Sequence, residues 1–211
     1  MNFARRLMNH PAFALVYERV WRPTSFFLVS GRTMGADRAD AVRALRLDRP
    51  RTVLDIACGP GNFTRHLSEK NAPGGHAVGI DFSVPMLRQA RADNTGPDVS
   101  YVRGDARRLP FPDGSFDAVC CFGALYLIPD PLVAAQEMVR VLAPGGRIAI
   151  STSYRYRNRF GRAVCAAISA IIGVRFFDND VFPKLFVEAG LVDVEQQVHG
   201  LLQYLSATRP E

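Results

Sequence analysis

From residue 52 onward, short apolar runs alternate with longer amphipathic stretches. Apolar runs of about 4–8 residues bounded by Gly, Pro or Asp predict buried strands. Stretches with apolar residues three or four positions apart predict helices. The predicted strands are 52–56, 77–80, 99–103, 116–121, 147–151, 192–198 and 201–206. The predicted helices are 62–70, 84–91, 131–142 and 181–189.

The alternation of strand and helix predicts the fold class. Strands separated by helices favour an α/β fold with a doubly wound, mostly parallel sheet, and here the sheet has seven strands. Ser83 is a suitable N-cap for the second helix, and Pro131 suits the first turn of the third. The last two strands flank Gly200 and predict an antiparallel hairpin.

The end of the first predicted strand carries the most informative motif. Asp55 is followed by Ala57, Gly59 and Gly61, and a helix is predicted to begin at the next residue. Glycine lets the backbone turn tightly and approach a ligand closely. The second strand ends in Asp81, about 20 residues further on, where a carboxylate can accept both hydroxyls of a ribose. The spacing predicts a pocket for a nucleotide-like ligand.

A dinucleotide is the first alternative for this pocket. Its fingerprint needs a third glycine, and Thr64 or Arg65 stands where that glycine would be. The carboxylate of Asp81 fits either ligand. The missing glycine therefore argues against a dinucleotide.

Further segments carry a family resemblance. Gly104-Asp105-Ala106 follows the third strand, Leu142-Ala143-Pro144-Gly145-Gly146-Arg147 precedes the fifth, and Glu188-Ala189-Gly190-Leu191-Val192-Asp193-Val194 precedes the sixth. With the glycine motif, they resemble class I S-adenosylmethionine-dependent methyltransferases. The resemblance is greatest to the small-molecule group with the ubiquinone- and menaquinone-type enzymes. It covers residues 50–155 strongly and 181–206 moderately.

The resemblance implies a cofactor site for S-adenosylmethionine. It implies that the loop lines the methionine part, that Asp81 binds the ribose, and that Asp105 and the Ala106 N–H bind the adenine. Phe82 or Met86 would pack against the adenine, and Phe122 would close over the cofactor. The implied cofactor-binding residues are Asp55, Ala57, Cys58, Gly59, Gly61, Asp81, Phe82, Met86, Asp105, Ala106, Phe122 and Tyr17. Asp117 opens a strand and is predicted to be structural.

The sequence leaves the catalytic groups open. Similar enzymes often carry a His near the end of the fourth strand, and this chain has Tyr126 there instead. Tyr126 either orients the methyl acceptor or packs. His10 is the one histidine in the predicted lid and is the candidate base. Because the sulfonium of the cofactor is already a good leaving group, positioning can supply much of the catalysis.

The resemblance also divides the chain into segments of one methyltransferase domain. Residues 1–50 are expected to form a helical N-terminal lid, 51–154 the cofactor-binding core, 155–180 a lid insertion, and 181–211 the closing helix and hairpin. The apolar 164–174 run and the aromatics of 13–27 either cover a hydrophobic acceptor or complete the core. Four arginines between 155 and 162 form either a solvated loop or a contact with an anionic membrane.

Composition narrows the function class. Hydrophobic residues make up 48% and charged residues 22%, as in an ordinary globular protein, and the net charge is +6. The basic residues are scattered, so no nucleic-acid surface is predicted. The four cysteines lack zinc-ligand or disulfide spacing, and neither a signal peptide nor a membrane span is evident. A cytoplasmic enzyme methylating a hydrophobic small molecule is expected. A macromolecule methyltransferase and a non-catalytic cofactor-binding partner remain alternatives.

Overall fold

The structure is a computed structural model and describes residues 30–211. Its helices are α1 (Met34–Ala44), α2 (Asn62–Lys70), α3 (Val84–Asp93), α4 (Pro131–Val141), α5 (Arg159–Ile172) and α6 (Val181–Glu188). Its strands are β1 (Thr52–Ile56), β2 (His76–Asp81), β3 (Val99–Arg103), β4 (Phe116–Phe122), β5 (Leu142–Ser153), β6 (Val192–His199) and β7 (Leu202–Thr208).

The seven strands form one mixed sheet in the order β3-β2-β1-β4-β5-β7-β6. The first five strands run parallel, whereas β7 pairs antiparallel with both β5 and β6. The predicted α/β class, the mostly parallel sheet and the C-terminal hairpin are confirmed. After β3 the chain crosses back over the sheet, so β4 is added on the other side of β1 and the strand order reverses between β1 and β4. Ligands of such sheets bind at the carboxyl edge beside this reversal.

Both faces of the sheet are covered, which explains why the central strands are almost continuously apolar. Neighbouring residues of β1 point to opposite faces, with Val53 in one core cluster and Leu54 in the other. Leu67 of α2 packs on the first face, whereas Met138 of α4 and Phe182 of α6 pack on the second. The helices on both faces thus hold the strand ends in place.

Two local expectations need correction. The structure starts β5 at Leu142, not at Arg147, because Leu142 pairs with Phe116 across an irregular register. Ser83 occupies the N-cap position of α3, but its side chain makes no capping hydrogen bond. The Ser83 N–H instead donates to the carboxylate of Asp81, 2.7 Å away.

Each of the two segments predicted to form lids contains a helix where the structure describes it. The predicted insertion at 155–180 contains α5, and the described part of the predicted N-terminal lid contains α1. Residues 1–29 lie outside the described part. The division of the domain into core and lids remains a prediction. No helix within residues 30–211 has the length and apolarity to cross a bilayer.

Candidate functional site

The loop between β1 and α2 lies at the carboxyl edge and adopts a left-handed backbone at three residues. Ala57, Gly59 and Gly61 have φ values of 57°, 56° and 81°. A Cβ on Gly61 would lie 2.4 Å from the hydroxyl oxygen of Tyr101, so packing there requires glycine. A Cβ on Gly59 would meet nothing within 4 Å. Gly59 therefore presents bare backbone to open space, as a ligand cradle requires.

Asp81 ends β2 and joins this loop to the neighbouring strand. Its Oδ2 accepts the Gly59 N–H at 2.9 Å, and its Oδ1 accepts the Ser83 N–H at 2.7 Å. Burial raises the pKa of Asp81 above its usual value, and the N–H donors of Ser83 and Gly59 oppose that rise. The two bonds fix the carboxylate beside the loop, and its contact with a ribose remains a prediction.

Asp55 is more deeply buried than Gly59 of the loop. Its side chain is buried, and its Oδ2 accepts the hydroxyl of Thr64 on α2 at 2.6 Å. The Cys120 thiol contacts its Oδ1 at 3.8 Å. Asp55 thus holds the first turn of α2 against β1 and β4. Its contact with the methionine part of a cofactor remains a prediction.

The thiols of the site are held protonated. Burial, reinforced by the charge of Asp55, raises the pKa values of Cys58 and Cys120 well above the usual range. All four cysteines of the chain are buried and free of disulfides. Cys58 therefore contributes its backbone and an apolar side chain to the loop, not a thiolate nucleophile.

Asp105 follows β3 and is paired with an arginine that the sequence analysis did not identify. Arg107 donates to Asp105 through its backbone N–H at 2.9 Å and its guanidinium at 2.7 Å. The same guanidinium reaches Asp130 at 3.2 Å, which links the turn after β3 to the start of α4. Ala106 lies between the two and packs against the core. Arg107 orients the carboxylate that the resemblance assigns to adenine.

Phe82 and Met86, the two alternatives for packing against adenine, differ in exposure. Met86 is buried on α3, whereas Phe82 is 58% exposed. The guanidinium carbon of Arg103 lies 5.8 Å from the centre of the Phe82 ring. The ring of Phe82 therefore offers the accessible face at the end of β2.

Phe122 is the last residue of β4, and Tyr126 follows in the loop after it. The ring of Phe122 packs edge-on against Phe63, with centroids 5.1 Å apart. The Tyr126 hydroxyl would lie 3.7 Å from a Cβ on Gly123, directly after Phe122. The carbonyl of Tyr126 accepts the Arg175 N–H at 3.4 Å, so this loop is tied to the segment after α5. The loop after β4 therefore connects the carboxyl edge of the sheet to the segment that follows α5.

Among the residues that the structure describes, the others considered from the sequence do not join this group at the ends of β1, β2 and β4. His10 and Tyr17 lie outside the described residues. Asp117 is structural, as predicted, because its carboxylate accepts the Thr52 N–H at 2.8 Å. His66 is half-buried and stacks on Phe63, and burial with the charge of Arg38 lowers its pKa. Within residues 30–211, no group of three or more His, Cys, Asp or Glu is placed to hold a metal ion.

The comparisons with known proteins agree with this geometry. Residues 54–150 match the family model described as a methyltransferase domain. A demethylmenaquinone methyltransferase of Lactococcus lactis is 34% identical over 173 residues, covering 71% of this chain and 69% of that enzyme. The enzyme of the same name from Thermus thermophilus is 42% identical over 123 residues, covering 56% of each protein. This chain thus spans little more than half of the Thermus enzyme.

A solved structure extends the similarity to the fold. Phosphoethanolamine N-methyltransferase 2 of Haemonchus contortus, solved with S-adenosyl-L-methionine, superposes with a TM-score of 0.78. It is 17% identical and covers 99% of this chain and 59% of its own. The chain belongs to the class I S-adenosylmethionine-dependent methyltransferases, in the quinone-type group of that family.

Proposed function

We propose that this methyltransferase acts on a hydrophobic or aromatic small molecule of the quinone class. One observation carries the assignment of the donor site: the carboxylate of Asp81 is bonded to the bare backbone of Gly59 at the carboxyl edge of the sheet. The names of the relatives from Lactococcus and Thermus support the acceptor class.

The described residues fit the proposed cofactor. The left-handed loop, including Cys58, leaves room for the methionine part beside Gly59. Asp81 is proposed to accept the ribose hydroxyls, with its backbone bonds fixing its orientation. Asp105 and the Ala106 N–H are proposed to bind the adenine, with Phe82 against its face. When bound, the cofactor supplies an electrophilic methyl group on a positively charged sulfur.

The protein's part in the reaction is then mainly orientation. The acceptor atom must approach the methyl carbon in line with the carbon–sulfur bond, which breaks with its electron pair going to sulfur. Holding two reactants in that geometry can contribute about 7–11 kcal/mol to lowering the barrier. Phe122 is proposed to close over the cofactor and Tyr126 to orient the acceptor, because Phe122 ends β4 at the carboxyl edge and Tyr126 follows it in the same loop. His10 remains the proposed base where the acceptor must lose a proton.

The proposal is tested by following the labelled methyl group of S-adenosylmethionine. The full chain is incubated with a demethylated menaquinone in detergent, with total RNA, or with neither, and the label is counted in the organic and nucleic-acid fractions. We expect the label in the quinone fraction, and its loss with Asp81→Ala. Label in RNA would contradict the proposed substrate class. Tight cofactor binding without transfer to any quinone would favour a non-catalytic partner.

A further inference from the structure

Helix α5 carries apolar side chains on the outside of the molecule. Of its 14 residues, only Gly161 and Cys165 are buried. Phe160 is 81% and Ile171 78% exposed. No described helix or strand packs extensively along α5. An apolar surface of this kind on a helix marks a site of interaction with another molecule.

Four apolar residues of α5 form a stripe along the helix, in which Phe160, Ala167 and Ile171 are exposed and Val164 is half-buried. Phe160, Val164, Ala167 and Ile171 follow one another at spacings of four, three and four, so they lie along one side of the helix. Gly161 and Cys165 lie about 100° around the helix from this stripe and face the protein. Gly161 lies against the ring of Tyr156, and the Cys165 thiol reaches the Tyr154 carbonyl at 4.0 Å. The helix is thereby anchored on one side with its apolar stripe outward.

Basic side chains surround this stripe. Residues 155–177 contain five arginines and no acidic residue. Arg157, Arg159 and Arg162 lie exposed at the start of α5, and Arg175 lies exposed beyond its end. The nearest carboxylate that meets them is Asp178, 3.4 Å from Arg155 and 3.7 Å from Arg162. The surface is therefore apolar in the middle and positively charged at its ends.

We infer that α5 lies in the surface of an anionic lipid bilayer. An exposed apolar stripe flanked by arginines has the pattern of interfacial helices, whose apolar side enters the acyl boundary while the cations meet lipid phosphates. Charge disfavours two other occupants. A second copy would bring the same five arginines against α5. Residues 1–29 carry four arginines and one glutamate, so they are of like charge.

The functional reason for membrane docking rests on the proposed function, a quinone acceptor. α5 follows β5, whose end lies at the same edge of the sheet as the cradle, and the Arg175 N–H binds the carbonyl of Tyr126. Docking through α5 therefore turns this edge toward the bilayer. A quinone with a long apolar tail is dissolved in that bilayer, so the acceptor reaches the site without crossing water.

The test measures vesicle binding by the full chain without acceptor or cofactor. Vesicles of phosphatidylcholine with 30% phosphatidylglycerol, and of phosphatidylcholine alone, are floated with the protein. We expect preferential binding to the anionic vesicles, weakened by salt. Arg159→Gln with Arg162→Gln reduces partitioning about 30-fold, and Phe160→Ser with Ile171→Ser at least about tenfold. The controls Arg88→Gln and Val187→Ser, exposed on α3 and α6, leave it unchanged.

A Phe160→Cys variant keeps the test informative if the serine variants fold poorly. We expect its thiol to react rapidly with a maleimide in solution and slowly when anionic vesicles are added, whereas the four natural thiols are buried. Slow labelling without vesicles, in a monomer or in a dimer, means that protein covers the stripe and overturns the inference. Vesicle binding that is indifferent to phosphatidylglycerol overturns it as well. Since no turnover is measured, either failure is distinct from failure of quinone methylation.

Discussion

The carboxylate of Asp81 accepts the backbone N–H of Gly59 at 2.9 Å, which ties the end of β2 to the turn after β1. The same carboxylate accepts the Ser83 N–H at 2.7 Å. These bonds fix the position of the acid relative to the loop before any ligand binds. A carboxylate held in this way needs little reorganisation to accept ribose hydroxyls, which favours tight binding.

Gly59→Ala tests the cradle, and Gly190→Ala is its matched control. Both glycines have a positive φ, and a Cβ on either meets nothing within 4 Å. We expect each variant to lose roughly 1 kcal/mol of folding stability from backbone strain. Only Gly59→Ala should also weaken binding of S-adenosylmethionine, because its methyl group enters the proposed site. Thermal unfolding and calorimetry separate the effects, and equal affinities in the two variants would refute the cradle.

Thr64→Val tests the support beneath the loop. The valine cannot donate to Asp55, so a buried carboxylate loses a partner 2.6 Å away. We expect a loss of about 1–3 kcal/mol in the free energy of unfolding, measured by denaturant titration. Thr95→Val provides the same substitution at an exposed site and is expected to be nearly neutral. A loss no larger than that of the control would contradict the role given to Thr64.

Arg107→Gln tests how Asp105 is oriented. Without the guanidinium, the carboxylate loses its charged partner and its link to Asp130. We expect the affinity for adenosine-containing ligands to fall by about three- to tenfold. Arg108→Gln changes the adjacent exposed arginine and should leave the affinity intact. Equal affinities in the two variants, measured with S-adenosylhomocysteine, would show that Arg107 has no part in adenine binding.

The raised pKa of Asp81 predicts a pH dependence. Only the charged carboxylate accepts both ribose hydroxyls, so cofactor affinity should fall as the pH drops through a value above the usual 3.8. Calorimetry from neutral pH down to the lowest pH at which the chain stays folded should show this fall, and Asp81→Asn should flatten it. The contribution of Asp81 to folding stability depends on pH in the opposite direction. A folded pKa above the unfolded one means that ionisation of Asp81 removes stability as the pH rises between the two values.

Much of the fold follows from local pattern. The bounds of β1, β3 and α2 agree with prediction because turn-forming residues lie close to their ends, with Gly59 soon after β1, Gly104 directly after β3 and Asn71 directly after α2. The early start of β5 was missed because turn-forming residues fill 143–146, and only pairing of Leu142 with Phe116 makes this segment part of the sheet. A strand end that is defined by pairing with another strand cannot be recognised from the neighbouring residues in the sequence.

The site was predictable in outline but not in its contacts. Asp81 lies beside the cradle, as its position after β2 predicts. The inward direction of Asp55 toward Thr64 and the pairing of Arg107 with Asp105 depend on side-chain geometry that spacing does not encode. The exposure of α5 is the largest difference, because an apolar run predicts burial wherever the solvent is water alone.

Asp81 and the loop beside it are proposed to bind the methyl donor. Calorimetry of S-adenosylmethionine with the wild-type chain, Asp81→Ala and Asp98→Ala tests it most directly, since Asp98 is exposed at the opposite edge of the sheet. We expect Asp98→Ala to bind like the wild type. Asp81→Ala should lose at least about 100-fold in affinity, as two charge-assisted hydrogen bonds would require. Affinity within about twofold of the wild type in folded Asp81→Ala would contradict the claim.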